Sequence, residues 1–274
     1  MENVKEPNLK KEVLRDLKEI LPEIEITTIK NLKAGKNLIF LISLKNPQTL
    51  PEEIIIKKIS TKSFITEHEN LISNYQKGIL VPKIFAFKKP YILMEKIDGF
   101  NLCDLLNDDL DNSTENSIYI VKKEIFEKLA EWLYQYHEIN ITPEKKSQIL
   151  VRNKGDLRLK NFIYHEKKIY GIDFENVYEG IPENDIAEVI VSIITTSPGD
   201  IFRDELLEFK INLILDFLLR YMKINTKFII SNNEIVKCLY SHLKIAAKRR
   251  HVEYNEEILN KKFQILLEKI QNIF

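Results

Sequence analysis

Three oxygen-bearing side chains in two short blocks carry the chemistry of this sequence. The block Lys154-Gly155-Asp156-Leu157-Arg158-Leu159-Lys160-Asn161 sets Asp156 and Asn161 five residues apart. The block Ile169-Tyr170-Gly171-Ile172-Asp173-Phe174-Glu175 sets Asp173 after an apolar, strand-like run, 17 residues beyond Asp156. Phosphoryl transfer needs such a set: a carboxylate to orient an attacking hydroxyl and accept its proton, and an amide and a second carboxylate to hold Mg2+ against the phosphates. Asp156 is the candidate base; Asn161 and Asp173 are the candidate metal ligands. Two unrelated surface loops would also contain Asp and Asn. The two blocks together, joined by a short hairpin, favour one site.

Upstream, Ile54-Ile55-Ile56-Lys57-Lys58-Ile59 reads as a strand on which Ile55 and Lys57 share one face and Lys58 takes the other. The run resembles the Val-Ala-Ile-Lys strand of kinases, which implies that Lys57 faces the phosphates and Ile55 lies under the adenine. An edge strand with two solvated lysines has the same sequence. The following helix offers Glu67 or Glu69 as partner for Lys57. Glu67, four residues before the apolar Leu71, is preferred, although a solvated helix face would look alike. The apolar run Ile92-Leu93-Met94 enters a polar turn ending at Gly99, where the backbones of Glu95 and Ile97 are candidates for adenine hydrogen bonds. Leu32-Lys33-Ala34-Gly35-Lys36-Asn37, between two strands, is a candidate loop over the phosphates with Gly35 and Asn37 as its contacts, a weak cradle with a single glycine.

The elements that must position these residues follow from periodicity and punctuation. Val13, Leu14, Leu17 and Ile20 mark a helix over 8–20, stopped by Pro22. Strands are expected over 25–30, 38–44 and 53–59, a helix over 66–77 with Gly78 as its stop, and strands over 83–87 and 91–96. Val121, Ile125, Leu129, Leu133 and Tyr136 mark one face of a long helix ending near His137, followed by a β-like stretch over 161–174. Helical patterns begin again at Asp185, Arg203, Asn233 and Asn255. Strands gathered in the first third predict an α+β protein of two lobes, 1–97 for nucleotide and 98–274 for catalysis and acceptor.

Composition excludes other classes. Of 274 residues, 44% are hydrophobic, which rules out wholesale disorder, and 41 Lys+Arg balance 41 Asp+Glu, so the field expected of a nucleic-acid binder is missing. Cys103 and Cys238 cannot make a disulfide framework or metal cluster by themselves and fit a reduced compartment. The N-terminus lacks an apolar signal core, and the apolar stretch at 186–194 is broken by Glu188 and too short for a membrane helix, so a cytoplasmic protein is expected. The five histidines show no metal-ligand spacing; His137 reads as a cap or packing residue and Trp132 as core. Lys248-Arg249-Arg250-His251 reads as a solvated face, with an acceptor, phosphate or nucleic-acid contact as the sharper alternative.

In this order the residues resemble the protein-kinase-like superfamily, and within it the aminoglycoside phosphotransferase and choline kinase group. The resemblance covers most of residues 8–200: Gly35 with Asn37, Lys57, Glu67, Val81-Pro82, Met94-Glu95 with Gly99, Gly155-Asp156-Leu157…Asn161 and Ile172-Asp173-Phe174-Glu175. It implies a bilobal fold, with a small antiparallel-sheet N-lobe plus one helix and a mainly helical C-lobe. It further implies ATP or GTP and Mg2+ as cofactors, a small-molecule hydroxyl as acceptor, no membrane partner, and a monomer or weak dimer. It also implies that Asp185 braces the catalytic loop through backbone amides. Only 11 residues separate Asp173 from Asp185, with no Ala-Pro-Glu, and Glu175 replaces the glycine expected after Asp-Phe in protein kinases. Lys154 departs from the family's His-Gly-Asp, which is expected to loosen the loop. Arg158 stands where related enzymes carry Lys or His and could stabilise the transferring phosphoryl group, a solvated loop arginine being the alternative. A catalytically weak nucleotide-binding scaffold and a kinase acting on protein or RNA are the rival functions. The acceptor is not identified by these motifs.

Overall fold

The structure, a computed structural model, describes residues 5–32, 37–45, 47, 49–59, 63–107, 115–145, 148–197, 200–203 and 208–273. The side chains of 5–10, 115–118, 144, 145, 148 and 203 are not described. Two compact units form: Met1–Gln76 with Val81–Ile97, and Lys77–Leu80 with Asp98–Phe274.

The first unit holds α1 (Lys5–Ile20), β1 (Glu25–Leu32), β2 (Leu38–Lys45), β3 (Glu53–Lys58), α2 (Phe64–Gln76), β4 (Ile84–Lys88) and β5 (Tyr91–Glu95). The strands form one antiparallel sheet in the order β1-β2-β3-β5-β4. β3 is therefore central, which removes the edge-strand alternative for its two lysines. Alternation divides its side chains. Ile54 and Ile56 enter a core with Phe40, Ile42, Leu44, Tyr91 and Leu93, covered by Val13 and Leu17 of α1. Val13 and Leu17 are four apart, so one helix face buries both. Lys58 follows Ile54 and Ile56 to that side, where its Nζ donates to Glu12 Oε1 at 2.9 Å.

The second unit adds β6 (Phe100–Asn101), α3 (Leu102–Asn107), α4 (Glu115–Ile139), β7 (Ile141–Lys145), β8 (Gln148–Asn153), a 3-10 turn at Leu159–Asn161, β9 (Phe162–His165), β10 (Lys168–Gly171), β11 (Tyr178–Gly180), α5 (Pro182–Thr195), a 3-10 turn at Ile201–Arg203, α6 (Glu208–Ile224), α7 (Asn232–Arg250) and α8 (Glu256–Gln271). Two small sheets, β10-β9-β6 and β11-β8-β7, sit among helices that pack α4 on α6 and α5 on α7. Trp132 of α4 is 3% exposed and donates from Nε1 to Leu80 O at 3.0 Å. Its ring lies so close to Gly171 that a Cβ there would sit 2.3 Å from the indole.

The sequence patterns missed α3 and the strands β6, β7, β8 and β11. These strands are short; β6 and β11 find partners distant in sequence, while β7 and β8, neighbours in sequence, pair with each other. α5 begins at Pro182 rather than Asp185, and the helix expected from Arg203 begins at Glu208 after residues that are not described. Val121, expected on the buried face of α4, is exposed. No described helix is long and apolar enough to cross a membrane.

Candidate active site

In the first unit, β3 aims Lys57 away from the α1 core, and the side chain is nearly inaccessible. Its Nζ is 2.9 Å from Glu67 Oε1, with side-chain exposures of 7% and 1%. α2 buries Phe64, Glu67, Asn70, Leu71 and Asn74, a single face at helical spacing. Glu67 lies on that face, whereas Glu69 is exposed. Ile55 is partly buried, paired across the sheet with Leu41 and Met94. Asn37 is buried at the start of the second strand; Gly35 lies outside the described residues. The backbone N–H of Glu95 donates to Lys83 O at 2.8 Å and its Oε2 accepts from Lys83 N at 3.1 Å, so this amide is already committed. Ile97 closes the unit two residues later.

In the second unit, residues 154–161 lead from β8 to β9. Gly155 has φ +75, and a Cβ would stand 2.1 Å from Asn176 O, so the loop tolerates only glycine there. Asp156 is 6% exposed. Arg158 Nε donates to Asp156 Oδ1 at 2.6 Å, and Arg158 Nη2 donates to Asp156 Oδ2. Burial is the largest influence on this carboxyl and raises its pKa. The Arg158 hydrogen bond and charge, with Lys154 and Asn161, outweigh it and hold the pKa below the ordinary value. The fork leaves each carboxylate oxygen a further lone pair. Asn161 is 4% exposed and donates from Nδ2 to Asp156 O at 3.2 Å, so Oδ1 is the end of its amide with a lone pair to offer a cation. Asp173 sits at φ +66, an uncommon conformation for a residue with a Cβ, though least so for Asp and Asn.

The loops carrying Asp156 and Asp173 are joined by a residue expected to loosen them. Lys154 is fully buried. Its Nζ donates to Asp156 O at 2.9 Å and to Asp173 O at 3.0 Å, and lies over the rings of Phe162 and Phe174 at 5.5 and 4.9 Å. The ammonium thus ties both segments together, and the loosening expected from the missing histidine is not what the geometry contains. Asp185 holds the same loop from α5, accepting from Lys154 N at 2.8 Å and from Gly155 N at 3.5 Å. A carboxylate only accepts, so His137 Nε2, 3.1 Å from Asp185 Oδ2, carries the proton. His137 Nδ1 meets Tyr221 OH at 2.8 Å. His137 is therefore a buried link between α4, α5 and α6 rather than a helix cap. The segment after Asp173 is short and pinned, because β11 pairs with β8 in the register Tyr178↔Asn153 to Gly180↔Val151.

Among the described residues, no group of three or more His, Cys, Asp or Glu could hold a metal alone. Asn161 and Asp173 offer hard oxygen donors, the kind that Mg2+ accepts when phosphate oxygens and water complete its shell. The residues present therefore fit Mg2+ carried with a polyphosphate.

No family model matches the chain, and no curated protein matches it in sequence. Solved structures do match. The choline kinase LicA from Streptococcus pneumoniae superposes over 97% of this chain and 99% of its own, with TM-score 0.55 at 14% identity. The GDP complex of aminoglycoside 2'-phosphotransferase-IIIa covers 98% of this chain and 100% of its own, with TM-score 0.58 at 11% identity. The amicoumacin kinase hAmiN, in complex with AMP-PNP and Ca2+, covers 96% and 93%, with TM-score 0.52 at 13% identity. The chain has the protein-kinase-like fold of the choline kinase and aminoglycoside phosphotransferase structures.

Within this kinase-like fold, Glu188 had no signal as a site residue, whereas Arg249 and Arg250 belong to the basic run whose sharper reading is an acceptor or phosphate contact. Glu188, visible in the sequence only as an interruption of an apolar stretch, lies on α5 one turn after Asp185. Burial first, then Asp185 and Asp156, push its carboxyl up to about 7, against a Leu157 backbone hydrogen bond and Lys154. Asp200 pairs with Arg250, bringing the end of α7 to the 3-10 turn at Ile201–Arg203. Burial first, then the charges of Arg158 and Arg250, hold the Arg249 pKa below its ordinary value. Only contacts across the fold could have found the surroundings of Glu188 and the Asp200–Arg250 pair.

Proposed function

We propose that the protein transfers the γ-phosphoryl group of ATP or GTP to a hydroxyl of a small molecule. The observation that carries this reading is the Lys154 ammonium shared by the backbone oxygens of Asp156 and Asp173, with Asn161 bonded to the first of them. One braced pair of loops thereby presents a carboxylate base and two oxygen ligands. Asp156 receives the hydroxyl proton as the acceptor oxygen bonds to the γ-phosphorus and the bond to the β-phosphate oxygen breaks, releasing the nucleoside diphosphate. Asn161 and Asp173 would hold Mg2+, which neutralises phosphate charge when bound. Arg158, beside Asp156, supplies positive charge where negative charge gathers. Lys57, held by Glu67, would grip the α- and β-phosphates, with Ile55, Glu95 and Ile97 on the adenine side and Gly35 and Asn37 over the phosphates. The reading requires both sets of residues to act on one nucleotide. Fold likeness to choline, aminoglycoside and amicoumacin kinases supports a small-molecule acceptor.

The test is nucleotide turnover, read as ADP or GDP release, across a broad panel of hydroxyl acceptors. Asp156→Ala and Asp173→Ala should each abolish it; turnover unchanged in either variant sinks the proposal. A second reading, a nucleotide-binding scaffold without transfer, is favoured by the two-point grip of Arg158 on Asp156. It predicts Mg-ATP binding by calorimetry without turnover of any acceptor.

A further inference from the structure

Within the second unit, α5 meets the loop of the candidate base on both sides of that base. Asp185 accepts from Lys154 N and Gly155 N, ahead of Asp156. Ser192 lies seven residues on, two helical turns along the same face. Its hydroxyl oxygen accepts from Leu159 N at 2.9 Å, beyond Arg158. Ser192 is 7% exposed and Leu159 1%, so this bond is made away from water. The next two hydroxyls along the chain behave differently. Thr195 Oγ1 donates to Val191 O and Thr196 Oγ1 to Ser192 O, each at 2.7 Å, the usual outlet for a hydroxyl on a helix. The Ser192 oxygen instead reaches another element.

The bond falls where the loop needs an acceptor. Leu159 opens the 3-10 turn Leu159–Asn161, and the leading N–H groups of such a turn have no partner inside it. Arg158 stands at the cap position but makes no side-chain cap bond, because an arginine has no acceptor to offer and this one is turned to Asp156. Ser192 supplies the missing cap. The candidate metal ligands lie directly downstream of it. Asn161 is the last residue of the turn, and its N–H donates to Arg158 O at 2.8 Å. Its carbonyl accepts from Ile172 N at 3.0 Å, and Asp173 is the next residue. One capped turn therefore sets Asn161 directly and Asp173 through a single backbone bond.

We propose that Ser192 is a positioning residue for the divalent cation: by capping Leu159 N it fixes the turn from which Asn161 and Asp173 present their oxygens. The inference rests on the phosphotransferase reading for the cation and its nucleotide, and it deepens that reading by naming a helix residue outside both site blocks on which metal binding depends. Were Ser192 only a packing residue, its loss would loosen α5 without singling out the metal-dependent part of nucleotide binding.

Calorimetric titration of AMP-PNP into wild type and variants, without metal and at saturating Mg2+, tests it together with amide hydrogen exchange at Leu159 read by NMR. In Ser192→Ala, exchange at Leu159 should rise and the metal-free affinity should stay at the wild-type value, while the gain in affinity conferred by Mg2+ should shrink about tenfold. Ser192→Thr, which keeps the hydroxyl, should restore both. Thr195→Val removes a buried hydroxyl of the same helix that bonds only within it, and should leave the Mg2+ gain unchanged. The proposal is overturned if Ser192→Ala keeps the wild-type Mg2+ gain, if Leu159 exchange does not change, or if Thr195→Val loses the gain as fully. A wild type that binds no AMP-PNP, or binds it with no gain from Mg2+, sinks the phosphotransferase reading itself and this proposal with it.

Discussion

The ammonium of Lys154 donates to the backbone carbonyl of Asp173 at 3.0 Å, across 19 residues of sequence. The same nitrogen donates to Asp156 O. One buried cation therefore joins the loop of the candidate base to the loop of a candidate metal ligand, and it steadies a residue held at φ +66. Lys154→Met keeps the length of the side chain and removes its donors. Each carbonyl left without a partner in the interior costs about 1–3 kcal/mol. Chemical denaturation should show a loss of that order, and turnover should fall more than Mg-ATP affinity. A variant with wild-type stability and turnover would show that this nitrogen holds nothing of consequence.

The Lys57–Glu67 pair is buried at both ends, so removing one member strands the other. Lys57→Ala should destabilise the protein by about 3–5 kcal/mol, and Lys57→Met with Glu67→Leu should recover much of it. A double-mutant cycle by denaturation measures the coupling, expected to exceed about 1 kcal/mol. Independent, additive effects would contradict the buried pair.

Glu188 gives stability a pH dependence of defined sign. Its carboxyl is raised from 4.5 to about 7 in the folded protein, by burial first and then by Asp185 and Asp156. Between those values the folded state binds more protons than the unfolded state, so this group's contribution declines as pH rises towards 7 and stays lost above it. Glu188→Gln keeps an acceptor for the Leu157 amide and cannot ionise. It should match wild type near about pH 4 and exceed it by on the order of 3 kcal/mol above about pH 8. Melting curves across that range are the check, and a difference independent of pH would contradict it.

Gly155 is constrained twice, by φ +75 and by the Asn176 carbonyl that a Cβ would meet at 2.1 Å. Gly155→Ala should therefore move the backbone that delivers Lys154 N and Gly155 N to Asp185. A loss of about 2–4 kcal/mol in denaturation and a collapse of turnover are expected. Full activity in this variant would mean that the loop has freedom its packing denies.

The sequence by itself determined what depends on neighbours along the chain. Strand alternation separates Lys57 from Lys58, and helical spacing puts Glu67 in line with Phe64 and Leu71. The five-residue step from Asp156 to Asn161 keeps both within one loop and 3-10 turn. These patterns are legible because period and spacing are local properties of the backbone. The tertiary structure alone decided what depends on approach through space. It gave Lys154 its two carbonyls, made His137 a link between Asp185 and Tyr221, and put β5 rather than β4 beside β3. It also placed Glu188 among acids. Those contacts join residues tens of positions apart, and the charge, burial and hydrogen bonding of each side chain there are set by groups that no local pattern names.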